Sequence, residues 1–147
     1  MTSDVMATHR DHRNHGLTFN PPREPAMTPF RTIADAYLAL WNESDPQRRL
    51  ALAARTWRPD AHYADPLMHG EGHEGICSMI EAARTQFPGH AFALRGEPDG
   101  HGAWVRFSWS LAPEGGAAVA GGTDVARLDG DGRFAQVTGF LDGAVVA

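Results

Sequence analysis

The hydrophobic period of this chain changes near Ala91, and that change limits what it can fold into. Upstream, apolar residues recur at helical spacing. Downstream, they alternate. Ile76, Met79, Ile80, Ala83 and Phe87 fall at i, i+3, i+4, i+7 and i+11, which marks one apolar helix face ended by Pro88-Gly89. Phe92 and Leu94 then alternate in a short strand. Val105, Phe107, Trp109 and Leu111 alternate with Arg106, Ser108 and Ser110 in a long one, so each set lines its own face of a sheet.

Two further helices precede the switch. Thr28-Pro29 supplies a capping residue and a proline at the first helical position. Phe30, Ile33, Ala34, Tyr37, Leu40 and Trp41 follow on one stripe. Asp45-Pro46 opens a second helix with Leu50, Ala53, Ala54 and Trp57 on one face. Residues 61–65 form a short strand that Pro66 ends. A turn-rich stretch with Gly70 and Gly72 leads into the third helix. Downstream, Pro113-Glu114-Gly115-Gly116 and Asp129-Gly130-Asp131-Gly132 make hairpin connections. Residues 117–128 and 133–142 are the last strands. The expected fold is α+β: a curved, mixed or antiparallel sheet wrapped around a pocket, with three helices across its open side.

The 147 residues suit one domain, expected over 28–147. Residues 1–27 read as a disordered tail, because three prolines and no apolar period leave nothing to bury. Met27 directly precedes the first helix signal, so a misassigned start is the other expectation for that segment. His9, His12 and His15 lie in it, and a disordered segment fixes no metal geometry. The net charge of -5, with 13 arginines and no lysine, argues against a nucleic-acid partner, which needs a clustered basic face. Cys77 is the single cysteine; it excludes an intrachain disulfide and is expected to pack as a small hydrophobe. No apolar run approaches the roughly 18 residues of a membrane span. Without the apolar core of a secretory signal, a cytoplasmic location is the default expectation.

Two carboxylates stand out because each sits within an apolar strand. Asp65 shares a face with Tyr63. Asp124 shares one with Ala126 and Leu128. A carboxylate on such a face is either desolvated, with its pKa raised, or paired to a neighbour. Tyr37 lies on the buried stripe of the first helix, where a core aromatic must find a partner for its hydroxyl. His62 points opposite to Asp65, and His90 and His101 flank turns. His69 and His73 bracket two glycines and lack the helical frame of a zinc-protease motif. Arg106 alternates against the apolar face, which predicts a surface or interface ion pair rather than a catalytic role. Asp129-Gly130-Asp131-Gly132 begins like a calcium loop, but Phe140 stands where the bidentate Glu is required, so it reads as a turn. No phosphate loop, nucleophile elbow or metal set is in view, and no cofactor is expected.

Taken together, Tyr63-Ala64-Asp65-Pro66, Gly72 with its helix, Gly122-Thr123-Asp124, Leu128-Asp129 and Asp131-Gly132-Arg133 resemble the SnoaL-like and ketosteroid-isomerase branch of the nuclear transport factor two superfamily. The resemblance covers residues 28–142. It implies a cystatin-like cone and a homodimer formed through the outer sheet face. By resemblance to ketosteroid isomerase, Asp65 is the general base, and Asp124 and Tyr37 form the oxyanion hole. The supporting tyrosines of that enzyme correspond here to Trp57 and Ile80. Arg106 faces away, so the Arg-between-acids arrangement of the related epoxide hydrolases is not evident. The expected partner is a small hydrophobic ligand. Trp41, Trp57, Phe87, Phe107, Trp109 and Phe140 supply an aromatic pocket lining, with Tyr63 beside Asp65. One reading is a cofactor-independent isomerase or cyclase working next to a carbonyl. The other is a non-catalytic ligand-binding or dimerisation module, because this fold hosts both.

Overall fold

A computed structural model describes residues 29–143. The expectations for the tail, the start at Met27 and the cap Thr28 lie outside the described residues. Helix α1 spans Pro29–Asn42 and buries Ala34, Tyr37, Leu38, Leu40 and Trp41. Its stripe agrees with the period read from the sequence. Helix α2 spans Pro46–Thr56 and is capped by Asp45, whose carboxylate accepts from the Arg48 amide at 2.9 Å.

The inner face of α2 differs from expectation. Leu50 and Ala54 are exposed, and Trp57 is buried as the first residue of a strand. Ala53 and Arg49 face inward instead. Arg49 is 1% exposed. Its Nε and Nη2 donate to the Glu43 carbonyl at 3.0 and 2.7 Å, and its Nη1 meets Glu81 Oε1 at 2.7 Å. The aliphatic stem of an arginine fills apolar space, so hydrophobic period alone misreads this position.

Strand β1 spans Trp57–Ala64, longer than the five residues expected, and ends just before Asp65. Strand β2, His69–Glu71, folds back on it in antiparallel register. Helix α3 spans Gly72–Gln86 and buries Ile76, Cys77, Met79 and Ile80, so Cys77 packs as a small hydrophobe. Strand β3 runs over His90–His101, well past the short strand expected. Its register slips between Arg95 and Asp99, where Gly96 sits at φ +75°. That bulge lets one strand bend and continue where the alternation breaks. Strands β4 (Trp104–Pro113), β5 (Ala120–Leu128) and β6 (Phe134–Leu141) complete a meander. Asp129 Oδ1 accepts from the Asp131 and Arg133 amides, so the Asp-Gly-Asp-Gly segment is a turn. Arg106 pairs with Asp99 on the surface.

The six strands lie in the order β2-β1-β6-β5-β4-β3. The meander is antiparallel, but β1 joins β6 in parallel, with Tyr63 opposite Val137 and Ala64 opposite Thr138. The sheet is therefore mixed, open and curved. The helices lie over one face, and the core fills the space between.

Replacing Arg49 with alanine removes three hydrogen bonds and opens a void beneath α2. The expected loss is about 2–4 kcal/mol in denaturant unfolding, the scale of a broken buried network. A loss under about 0.5 kcal/mol, usual for a surface site, would show that the arginine is dispensable.

Candidate functional site

The inner sheet face and the helices enclose a cavity of about 360 Å³. Trp41 of α1, Phe92 of β3 and Trp109 of β4 form one continuous wall. The Trp41 and Phe92 ring centroids lie 5.2 Å apart at 63°, and those of Phe92 and Trp109 5.4 Å apart at 70°. Edge-to-face contacts like these fix ring orientation. Leu67, Phe87 and Val119 also line the cavity yet are exposed, so its mouth is apolar.

The polar groups of Tyr37, Tyr63, Asp65 and Asp124 meet at the cavity. Asp65 stands one residue beyond β1, and Pro66 turns the chain there. Its Oδ1 accepts from the Leu67 and Met68 amides at 2.7 and 2.9 Å, the geometry of an Asx turn. Its Oδ2 accepts from the Tyr63 hydroxyl at 2.6 Å. Strand alternation puts Tyr63 and Asp65 on one side, as their spacing predicts.

Asp124 lies in the middle of β5 and is 2% exposed. Its Oδ2 accepts from the Tyr37 hydroxyl at 2.6 Å and its Oδ1 from Trp109 Nε1 at 3.3 Å. Burial pushes its carboxyl up to about 6, helped by the charge of Asp65; the Tyr37 and Trp109 bonds pull the other way. Burial also drives the Tyr37 phenol well above its ordinary value, with Asp124 adding to the effect. Tyr63 is raised for the same reasons, burial first and then the charges of Asp124 and Asp65.

The two acid–tyrosine pairs approach each other over Gly139, which faces Asp124 across the β5–β6 ladder. A Cβ there would lie 2.8 Å from Asp124 Oδ1, 3.1 Å from the Tyr63 hydroxyl and 3.2 Å from Asp65 Cβ. Only glycine leaves that space empty. A glycine inside a strand is itself a sequence signal of close approach.

The structure thus brings Asp65, Asp124 and Tyr37 to one cavity, with Tyr63 bonded to the acid that its spacing placed beside it. Of the expected lining, Tyr63, Trp41, Phe87 and Trp109 face the cavity. Trp57, Phe107 and Phe140 do not. Trp57 and Phe107 are 0% and 2% exposed and pack around the Tyr37 ring, below the cavity floor. Phe140 follows Gly139, so alternation turns it to the outer face, where it is 55% exposed. Phe92 lines the cavity and was legible as an inward strand position. Asp142 also lines it, at the end of β6, where no period could place it. Trp57 and Ile80 are core residues, and it is Tyr63 that supports the site with a hydroxyl. His62 pairs with Glu71 at 2.7 Å on an exposed surface, and His73 Nε2 lies 2.7 Å from the Trp57 carbonyl oxygen. Among the described residues, no three His, Cys, Asp or Glu side chains are placed to hold a metal ion. No described helix is long and apolar enough to cross a membrane.

The SnoaL-like domain family matches residues 34–137. A proposed isomerase of the SnoaL-like family from Agrobacterium tumefaciens is 56% identical, over 76% of this chain and 96% of its own, with a TM-score of 0.74. A proposed polyketide cyclase from Sinorhizobium meliloti shares the fold at 21% identity, over 74% and 93% of the two chains, with a TM-score of 0.56. A nuclear transport factor 2-like protein of unknown function from Cytophaga hutchinsonii does so at 13% identity, over 81% and 95%, with a TM-score of 0.57. No curated protein matches the sequence.

The buried Asp124 makes stability depend on pH with a definite sign. Its carboxyl binds a proton more tightly in the folded chain, at about 6, than at its ordinary 3.8. The stabilisation is complete below the unfolded value and is lost as pH rises through the folded one. Relative to Asp124→Asn, the native protein should gain about 2 kcal/mol in denaturant unfolding between about pH 7.5 and about pH 4.5. Parallel pH profiles for the two proteins would contradict this placement of the charge.

Proposed function

Because this chain belongs to the SnoaL-like family, we propose that its cavity binds a small apolar carbonyl compound and moves a proton at the carbon beside the carbonyl. The observation that carries the reading is the pairing of two unlike carboxylates in one apolar cavity. Asp65 is partly exposed and accepts three hydrogen bonds. Asp124 is buried, with its carboxyl pushed up to about 6. Environments that separate two acids in this way assign one as base and the other as acid. Asp65 takes the proton. Protonated Asp124, with the Tyr37 hydroxyl, donates to the oxygen on which negative charge develops. The resulting enolate collapses when Asp65 returns the proton, either to the same carbon or to a conjugated one. The apolar walls exclude water, which strengthens those donors. The relative at 56% identity, a proposed isomerase, supports this class of chemistry.

A second reading is a binding module without turnover. It is favoured by the engagement of both hydroxyls, Tyr37 on Asp124 and Tyr63 on Asp65. Binding of naphthol, an uncharged enol mimic, separates the two. Under proton transfer, Asp124→Asn and Tyr37→Phe each weaken its binding by about 1–3 kcal/mol in calorimetry, the scale of a lost buried hydrogen bond. Equal affinity in all three proteins would leave the binding module.

We also propose that a second copy of the chain covers the outer sheet face. Phe140 is 55% and Trp104 41% exposed, and the helices shield only the opposite side of the sheet. Sedimentation should find a dimer for the native chain and a monomer for Phe140→Asp. A native monomer would end this proposal.

A further inference from the structure

Among the described residues, the cavity is lined by acids and by no base. Asp65, Asp124 and Asp142 are its acidic side chains, and none of the described lining residues is Lys, Arg or His. Asp142 is balanced by Arg95 at 2.6 Å, both about half exposed. Asp65 and Asp124 differ from it. Among the described residues, neither forms an ion pair. Their partners are neutral: two tyrosine hydroxyls, two backbone amides and an indole N–H. Neutral donors satisfy lone pairs but leave the net charge uncompensated.

Two carboxylates facing one low-dielectric cavity focus a negative potential into it. A phosphate or carboxylate ligand is repelled there. A cation supplies the missing charge and relieves the burial of Asp124. A metal ion is a poor candidate, since among the described residues no third His, Cys, Asp or Glu ligand is placed to join the two acids. The walls point to an organic cation instead. Trp41, Phe92 and Trp109 meet at 63° and 70°, so they form the corners of a box rather than a flat stack. Aromatic side chains attract an ammonium group through their faces, while their bulk accepts an apolar skeleton.

We infer that the cavity takes an apolar ligand bearing a protonated amine, held between the aromatic box and the Asp65–Asp124 pair. The inference goes beyond proton transfer and does not depend on it. Three indoles of one skeleton test it by calorimetry near neutral pH: tryptamine, ethylindole and indolepropionate. Tryptamine should bind about tenfold or more tighter than ethylindole, with indolepropionate weakest. Asp65→Asn should erase most of the preference for tryptamine while leaving ethylindole unchanged. Equal binding of ethylindole or indolepropionate, or no tryptamine binding at millimolar concentration, overturns the inference in the native protein, whatever the variant does. Naphthol carries no charge, so failure here leaves the proton-transfer reading standing, and the converse holds.

Discussion

The parallel pairing of β1 with β6 is the contact on which the site depends. Without it, Asp65 belongs to the helical half of the chain and Asp124 to the meander. Strand β6 lies between β1 and β5 and reads both in register. Gly139 is the position on β6 where the two acid–tyrosine pairs converge. A parallel neighbour needs a long crossover. Here the crossover is β2, α3 and the first strands of the meander, so much of the fold serves to close one pairing.

The same arrangement sets stability against chemistry. A carboxylate that is 2% exposed and lacks a counter-charge is unfavourable for folding. Two donors, Tyr37 and Trp109, offset part of that. The rest is carried by the core beneath, where Tyr37 packs edge-on against Phe107 and Phe134 at 4.8 and 5.5 Å. Helix α1 therefore contributes twice through one residue, with its ring to the core and its hydroxyl to the site. Arg49 plays a comparable part away from the cavity, tying the α1–α2 connection to α3.

Much of this was legible in the sequence. The change of period near Ala91 divides helices from strands, and the strand spacing put Tyr63 with Asp65 and set Asp124 on an apolar face. Other features fell outside what periodicity encodes. Phe107 and Trp109 share one strand face, yet one lies under the floor and the other lines the wall, because the helices cover that face unevenly. Phe140 looked like a lining aromatic until Gly139 fixed which side faced inward. The bulge after Arg95 hid half of β3, since alternation fails wherever a strand bends. Arg49 falls outside the apolar face that the period marks on α2, because a sequence pattern scores its charge and not its stem.

The placement of β6 also bears on how the molecule is made. Of the described strands it is the last to leave the ribosome, yet it inserts between two strands already present. Until it does, β1 and β5 each present an unpaired edge. Bare edges of this kind pair readily with other chains. Insertion of a central strand also closes a contact between distant parts of the chain, which is slow. The hazard for this protein therefore falls in the interval before β6 docks.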